Sequence, residues 1–303
     1  MKNYSSNEFW EEINLDIVNI ENLTESLENF RSSPVNYKLS IFNPEKNGVR
    51  YLKTLLYNLT MSLTKEEFIK ITNIKNRNFG NPFYILYENE KIDLDYLQAI
   101  YEISFLENNI SLKDLDILEI GAGYGRTAHA ILSNYDIKSY TIIDLEKTLQ
   151  ISRKYLQIVL PENLFQKIVF LSVENLVNYK FNFFDLVINI DSFAEMSEEV
   201  VFQYFDLINT HSKYFYTKNP VGKYLDKTLD NHSQGESVVN QALKNGILKE
   251  ILDIDSNQDI KQHSYKFLDG YKPNKKWNIL QNSWAPPFSY YWQVIYVKGD
   301  TNE

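Results

Sequence analysis

One stretch constrains what this chain can fold into more than any other: Ile117-Leu-Glu-Ile-Gly-Ala-Gly-Tyr-Gly-Arg-Thr127. An apolar run of strand length leads straight into Gly121-x-Gly123-x-Gly125, and a helical pattern carrying Ala128, Ile131, Leu132 and Tyr135 begins at once. Alternate glycines allow a sharp turn and let a ligand approach without obstruction by Cβ. The helix start behind them offers free N–H groups and the positive end of its dipole. Asp144 ends the next apolar run, where a carboxylate can accept from ribose hydroxyls. The bland alternative is an α/β turn that binds nothing, but three glycines and two spaced carboxylates are hard to explain by packing. A dinucleotide turn, G-x-G-x-x-G/A, needs a small residue at position 126, which is Arg here. Glu119, just before the turn, suits a ligand bearing an ammonium group, or else structures the loop.

The flanking pattern agrees with this reading. Short apolar runs at 116–120, 139–143, 168–171, 184–190 and 214–217 alternate with helical patterns, among them 146–159 and 198–209. Ser197 is a candidate N-cap, with Glu198 and Glu199 in the first turn. Such alternation predicts a parallel sheet covered on both faces. Runs at 277–281 and 291–297, separated by Ser-Trp-Ala-Pro-Pro, predict an antiparallel closing pair. Upstream, helical spacing recurs at 9–30, at 49–63 (Leu52, Leu55, Leu56 and Leu59 on one face) and at 95–108 (Leu97, Ile100, Tyr101, Ser104, Phe105). Residues 1–110 therefore read as a helical N-terminal cap without a strand ladder, either supporting the core or shaping a pocket. Residues 111–303 read as the ligand-binding domain, with an insert at 219–276 over the acceptor site, helical near 236–248 and aperiodic beyond.

Composition narrows the function classes. The 303 residues include no cysteine, which removes disulfides, thiolate metal sites and a cysteine nucleophile. The net charge of −9 gives no support for wrapping nucleic acid. The start lacks a basic segment followed by an apolar one, and no apolar run approaches the ~20 residues of a membrane span. The expectation is a cytoplasmic protein that acts on small molecules and binds neither membrane nor nucleic acid, with a homodimer left open.

Glu119-x-Gly121-x-Gly123-x-Gly125 with Asp144 resembles the first two motifs of the class I S-adenosylmethionine-dependent methyltransferases. Phe170-Leu-Ser-Val-Glu-Asn-Leu176 resembles the adenine segment after the third strand, and Asp185-Leu-Val-Ile-Asn-Ile-Asp191 the fourth-strand motif. The strings EIGAGYGRTAHAIL and NIDSFAEMS are similar to a subgroup, the sugar O-methyltransferases of bacterial capsule and O-antigen clusters. The resemblance covers roughly 114–300. It implies a Rossmann-like fold with a seven-stranded, mostly parallel sheet whose last strand is antiparallel. It also implies S-adenosyl-L-methionine as cofactor, S-adenosyl-L-homocysteine as product, and a sugar or nucleotide-sugar as acceptor, in capsule or surface polysaccharide synthesis. Residue by residue, Gly121 and Gly123, with Ala122, Tyr124 and Arg126 of the same turn, would surround the methionine portion. Glu119 would support its amino group, Asp144 would bind the ribose diol, and Leu145 would pack on the adenine. Ile190 ends the fourth strand beside them. Ser172 stands where an acidic residue often meets the adenine amine, leaving Ser172, Glu174 or the backbone of Val173 to do so. A different small polar acceptor, or an NAD-dependent oxidoreductase, are the alternatives.

Transfer to a hydroxyl benefits from a positioned general base. In open parallel sheets ligands lie at the carboxyl ends of the strands, which brings Asp191 and Glu195 to the site. Asp191 is the first candidate base, with a helix cap as its plain alternative. A short helix would place Glu195 on its face, and the pair reads as metal-free acid–base chemistry because no ligand cluster accompanies it. His232 and His263, in the insert, are further candidate bases, while His129 reads as a packing or surface residue and His211 as structural. Lys218, Lys223, Lys227, Lys272, Lys275 and Lys276 could converge on phosphates or form a solvated face. Tyr224, Tyr271, Trp277 and Trp284 could stack on a sugar or belong to the core.

Overall fold

The computed structural model describes residues 44–224, 240 and 242–299. The pattern at 9–30 and residues 236–239 and 241 of the pattern at 236–248, together with His232 and Lys227, lie outside the described residues.

Chain order begins with α1 (Pro44–Met61), α2 (Lys65–Asn73), the hairpin β1 (Tyr84–Tyr87) and β2 (Glu90–Asp93), and α3 (Leu94–Glu107). Next come β3 (Asp116–Ile120), α4 (Arg126–Asn134), β4 (Ser139–Asp144), α5 (Glu146–Val159), the single turn α6 (Glu162–Phe165) and β5 (Ile168–Ser172). After them follow β6 (Phe184–Ile190), α7 (Glu198–His211), β7 (Ser212–Pro220), α8 (Asn257–Gly270), β8 (Trp277–Trp284) and β9 (Tyr291–Lys298). The main sheet has seven strands in the order β5-β4-β3-β6-β7-β9-β8. Strands β3 to β7 pair in parallel, and β9 runs antiparallel to both β7 and β8. This is the Rossmann-like sheet with an antiparallel last strand that the resemblance implies. No described helix is long and apolar enough to cross a membrane.

The near-continuous apolar strands follow from cover on both faces. Ile117 of β3 joins a core built with α3, α4 and α5, whereas Leu118 and Ile120 join a second core with α7 and α8. Ser197 caps α7 as expected, its side chain accepting from Val200 N–H.

Three local expectations need correction. The region before residue 110 is not purely helical, since β1 and β2 form an antiparallel pair. Glu88 and Asn89, at φ 49° and 66°, make the left-handed two-residue turn that matches strand twist. Four-residue strands are too short to show a period in sequence. In α1, Leu56 is buried but Leu55 faces outward, 40% exposed. The stretch that read as aperiodic contains α8, capped by Ser256, whose side chain accepts from Asp259 N–H. Its buried face is Ile260, His263, Ser264 and Phe267, and two polar members conceal the helical period.

Helix α3 is buried nearly all round and carries Glu102, only 1% exposed, inward. Its carboxylate receives Arg126, at the first position of α4, at 2.9 Å and Lys218, near the end of β7, at 2.8 Å. The two cations hold its carboxyl below the usual range against the opposing effect of burial. Removing one partner from a buried ion cluster costs about 3–5 kcal/mol. Glu102→Ala should therefore lower the unfolding free energy by roughly that amount in urea titrations. A loss under about 1 kcal/mol would show that the cluster is not needed for stability.

Glu119, on β3, is likewise buried and accepts from Tyr140 Oη at 2.7 Å. Burial pushes its carboxyl up to about 7, with hydrogen bonds from Tyr140 and Thr127 opposing. The folded chain thus holds this proton more tightly than the unfolded chain, whose carboxyl titrates near 4.5. The resulting stability is complete below pH ~4.5 and is lost as pH rises through ~7. Between pH 5 and pH 8 the natural chain should lose roughly 2–3 kcal/mol relative to Glu119→Gln. Denaturant titration of both proteins at the two pH values checks this, and parallel pH dependences would refute it.

Candidate active site

The glycine turn sits at the carboxyl edge of the sheet, between β3 and α4. Gly121 has φ 75°, and a Cβ there would lie 2.2 Å from Ser192 Oγ. The Ser192 hydroxyl is bonded inward, donating to the Ile120 carbonyl at 3.1 Å and accepting from Asn189 Nδ2 at 2.7 Å. Gly123, at φ 58°, differs in that a Cβ would meet nothing within 4 Å. The turn is therefore packed at Gly121 and open at Gly123. Asp144 ends β4 beside it, accepting from Gly123 N–H at 3.0 Å and from Leu145 N–H at 2.7 Å. One bond to each oxygen orients the carboxylate and leaves acceptor capacity on both.

A cavity of about 850 Å³ opens at this edge. Gly121, Gly123, Asp144 and Leu145 line one part, and Val173, Leu176 and Phe181 line another. The rest of the lining comes from Ser192, which abuts Gly121, from Glu195 and Met196, and from α7, which presents Val200, Gln203, Tyr204 and Leu207. The last four recur at helical spacing on one face of α7. That period was visible in the sequence, but nothing there distinguished a cavity face from a core face.

Several expected residues are turned elsewhere. Glu119 is spent on Tyr140 and Thr127 inside the core and does not line the cavity. The Arg126 guanidinium points to α3, donating to the Asp95 carbonyl at 2.9 Å and pairing with Glu102. The Tyr124 hydroxyl donates to Asp95 at 2.9 Å. Ala122 and Ile190 pack against the core on the α3–α5 face. After β5, only Val173 of the three adenine candidates lines the cavity, because the Ser172 hydroxyl donates to Glu174.

Asp191 follows β6 in a left-handed conformation, φ 67°, sparsely populated by residues other than glycine. It does not cap a helix with its side chain. Instead Oδ1 accepts from the Tyr291 hydroxyl at 2.7 Å, and the backbone N–H donates to the Lys218 carbonyl at 2.8 Å. The shared helix face expected for Asp191 and Glu195 is absent: a single 3₁₀ turn, Ser192–Ala194, lies between them. They still interact, for partial burial and then the charge of Asp191 raise the Glu195 carboxyl, with Lys223 opposing. Tyr291, unremarked in the sequence, is joined at this end by Tyr290 and Phe288, each with its ring 5.2 Å away.

His263 lies in α8 with Nδ1 2.9 Å from the Asp259 carbonyl and Nε2 3.4 Å from Glu250, and it does not line the cavity. His129 is buried, with Nδ1 2.6 Å from Tyr96 Oη, and desolvation pushes it down to about 4. The described lysines do not converge. Lys218 is consumed by Glu102, and Lys223 donates to the Ala194 carbonyl at 2.9 Å. Lys272, Lys275 and Lys276 precede β8, which starts opposite Lys298, level with the amino end of β7. Tyr271 and Trp277 are core residues, while Trp284 is exposed and Tyr224 packs 5.1 Å from Tyr290. Among the described residues no group of three or more His, Asp or Glu side chains could hold a metal ion.

No family model and no curated protein matches the chain. Among solved structures it is similar to the methyltransferase domain of a bacterial Hen1, at 14% identity over 67% of this chain and 100% of that one, TM-score 0.46. An S-adenosylmethionine-dependent methyltransferase from Clostridium acetobutylicum is similar at 16% identity over 69% and 94%, TM-score 0.42. An O-methyltransferase from Bacillus cereus, in complex with SAH, is similar at 12% identity over 82% and 100%, TM-score 0.43. These likenesses are too distant to carry an argument about chemistry.

Proposed function

We propose that this chain is an S-adenosyl-L-methionine-dependent O-methyltransferase acting on a sugar hydroxyl. The observation that carries the reading is the pairing of an open turn at Gly123 with the oriented carboxylate of Asp144, at the mouth of a cavity large enough for a nucleoside. The residues present fit the cofactor. Gly123 leaves room for the amino-acid arm, Asp144 would accept from the ribose diol, and Leu145 and Val173 offer apolar faces to a base. Glu119, buried, would act by shaping the strand end rather than by touching the ligand.

When bound, the sulfonium supplies an electrophilic methyl group. The chain itself must hold an acceptor hydroxyl in line and take up its proton. Asp191 does not itself line the cavity but adjoins Ser192, which does, and is proposed for both roles because Tyr291 pins one of its carboxylate oxygens. Glu195, whose carboxyl is raised, and Lys223 flank it. Tyrosine rings beside carboxylates suit a polyhydroxylated acceptor, since the rings cover its C–H faces while the carboxylates accept from its hydroxyls. The acceptor is read as a hexose or heptose, nucleotide-activated and used in capsule or surface polysaccharide, on the strength of the sequence resemblance. Cytoplasmic location belongs to the same reading.

Calorimetric titration with S-adenosylhomocysteine, with NAD as control, should show micromolar binding of the former alone. Asp144→Ala should weaken that binding at least tenfold, about 1.4 kcal/mol. Preference for NAD, or unchanged affinity in the variant, would overturn the cofactor assignment. With nucleotide-sugars as acceptors and S-adenosylhomocysteine release as readout, Asp191→Asn should lower turnover roughly 100-fold or more and spare cofactor affinity. Full activity would remove Asp191 as the base.

A further inference from the structure

We infer that helix α7 carries the purine-reading group of this site, the carboxamide of Gln203. The inference rests on a nucleoside occupying the cavity as proposed above. With its ribose on Asp144, the base extends along Leu145 and Val173 toward the wall formed by α7. Of the contacts expected for the adenine amine, the Ser172 hydroxyl and the Glu174 carboxylate are bonded to each other, and Val173, which lines the cavity, has only its backbone to offer. A polar side chain on α7 can then meet the hydrogen-bonding edge of the base.

Four α7 residues face the cavity, and Val200 and Leu207 are apolar. Of the other two, Tyr204 has a single hydroxyl, whereas Gln203 has a carbonyl oxygen and an NH₂ side by side. That pair complements the 6-amino donor and an adjacent ring-nitrogen acceptor of adenine, as Gln does when it reads adenine in nucleic acids. Gln203 makes no hydrogen bond to another described residue, so its amide is free for a ligand, and Val200 and Leu207 lie one turn away on either side. Selectivity for adenine would then come chiefly from a side chain of helix α7.

The test is a titration of the full chain with S-adenosylhomocysteine and with its analogue lacking the purine 6-amino group. The natural chain should bind the analogue roughly tenfold more weakly, the effect of losing one good base contact. Gln203→Leu should bind S-adenosylhomocysteine roughly tenfold more weakly than the natural chain and should no longer discriminate between the two ligands. Asp144→Asn should weaken both ligands and keep their ratio. Gln203 is exposed, so the Leu variant should fold, and Gln203→Ala serves as a second variant with the same expectation. If the natural chain binds S-adenosylhomocysteine and Gln203→Leu keeps the full preference for the 6-amino group, the assignment of Gln203 falls while the cofactor reading stands. If the natural chain binds neither ligand, both fall.

Discussion

The buried carboxylate of Glu102 ties together three parts of the chain distant in sequence. Arg126 stands where the glycine turn becomes helix α4, Lys218 lies near the carboxyl end of β7, and α3 brings the anion to both. Burying one such charge alone would cost several kcal/mol, so each of the three elements is anchored by the other two. Gln98, one turn before Glu102, accepts a further bond from Lys218 at 3.2 Å. The segment before β3 is thus joined to the sheet by charge as well as by the apolar core that α3 shares with α4.

From that anchor the site follows as a chain of contacts. The Lys218 carbonyl receives the N–H of Asp191, and the Asp191 carboxylate receives the hydroxyl of Tyr291. On the other side of Arg126 is the glycine turn, with Gly123 bonded to Asp144. The glycine turn with Asp144 and the Asp191–Tyr291 pair therefore hang from opposite partners of one buried anion. A left-handed Asp191 is kept in place by bonds to its backbone and its side chain together, as a strained residue at a site requires.

Much of this was legible in the sequence, and the reasons are local. Strands buried on both faces show as unbroken apolar runs, so Asp116–Ile120 and Phe184–Ile190 could be placed closely. A glycine turn between strand and helix shows in three residues, and Asp144 belongs to the next strand end. The hairpin β1–β2, helix α8 and the exposure of Leu55 were not legible, because short strands carry no period and polar residues can occupy buried helical positions. For Glu119 the sequence left ligand contact and loop structuring both open, because a carboxylate beside a glycine turn looks the same whether it faces ligand or core; the structure turns it to Tyr140 and Thr127.

The sequence by itself determined the class of fold and the positions of the glycine turn and of Asp144, since those depend on residues adjacent in the chain or on one repeating period. Only the tertiary structure decided which polar side chains remain free at the site. Arg126, Lys218 and Ser172 were plausible ligand contacts until their partners were known, and those partners are Glu102 for the first two and Glu174 for the third. Gln203 and Tyr291 gained their positions when α7 and β9 packed beside the carboxyl ends of the strands. A buried polar group is committed by whatever lies within about 3 Å of it, and for Glu102 and Lys218 that neighbour is far away along the chain.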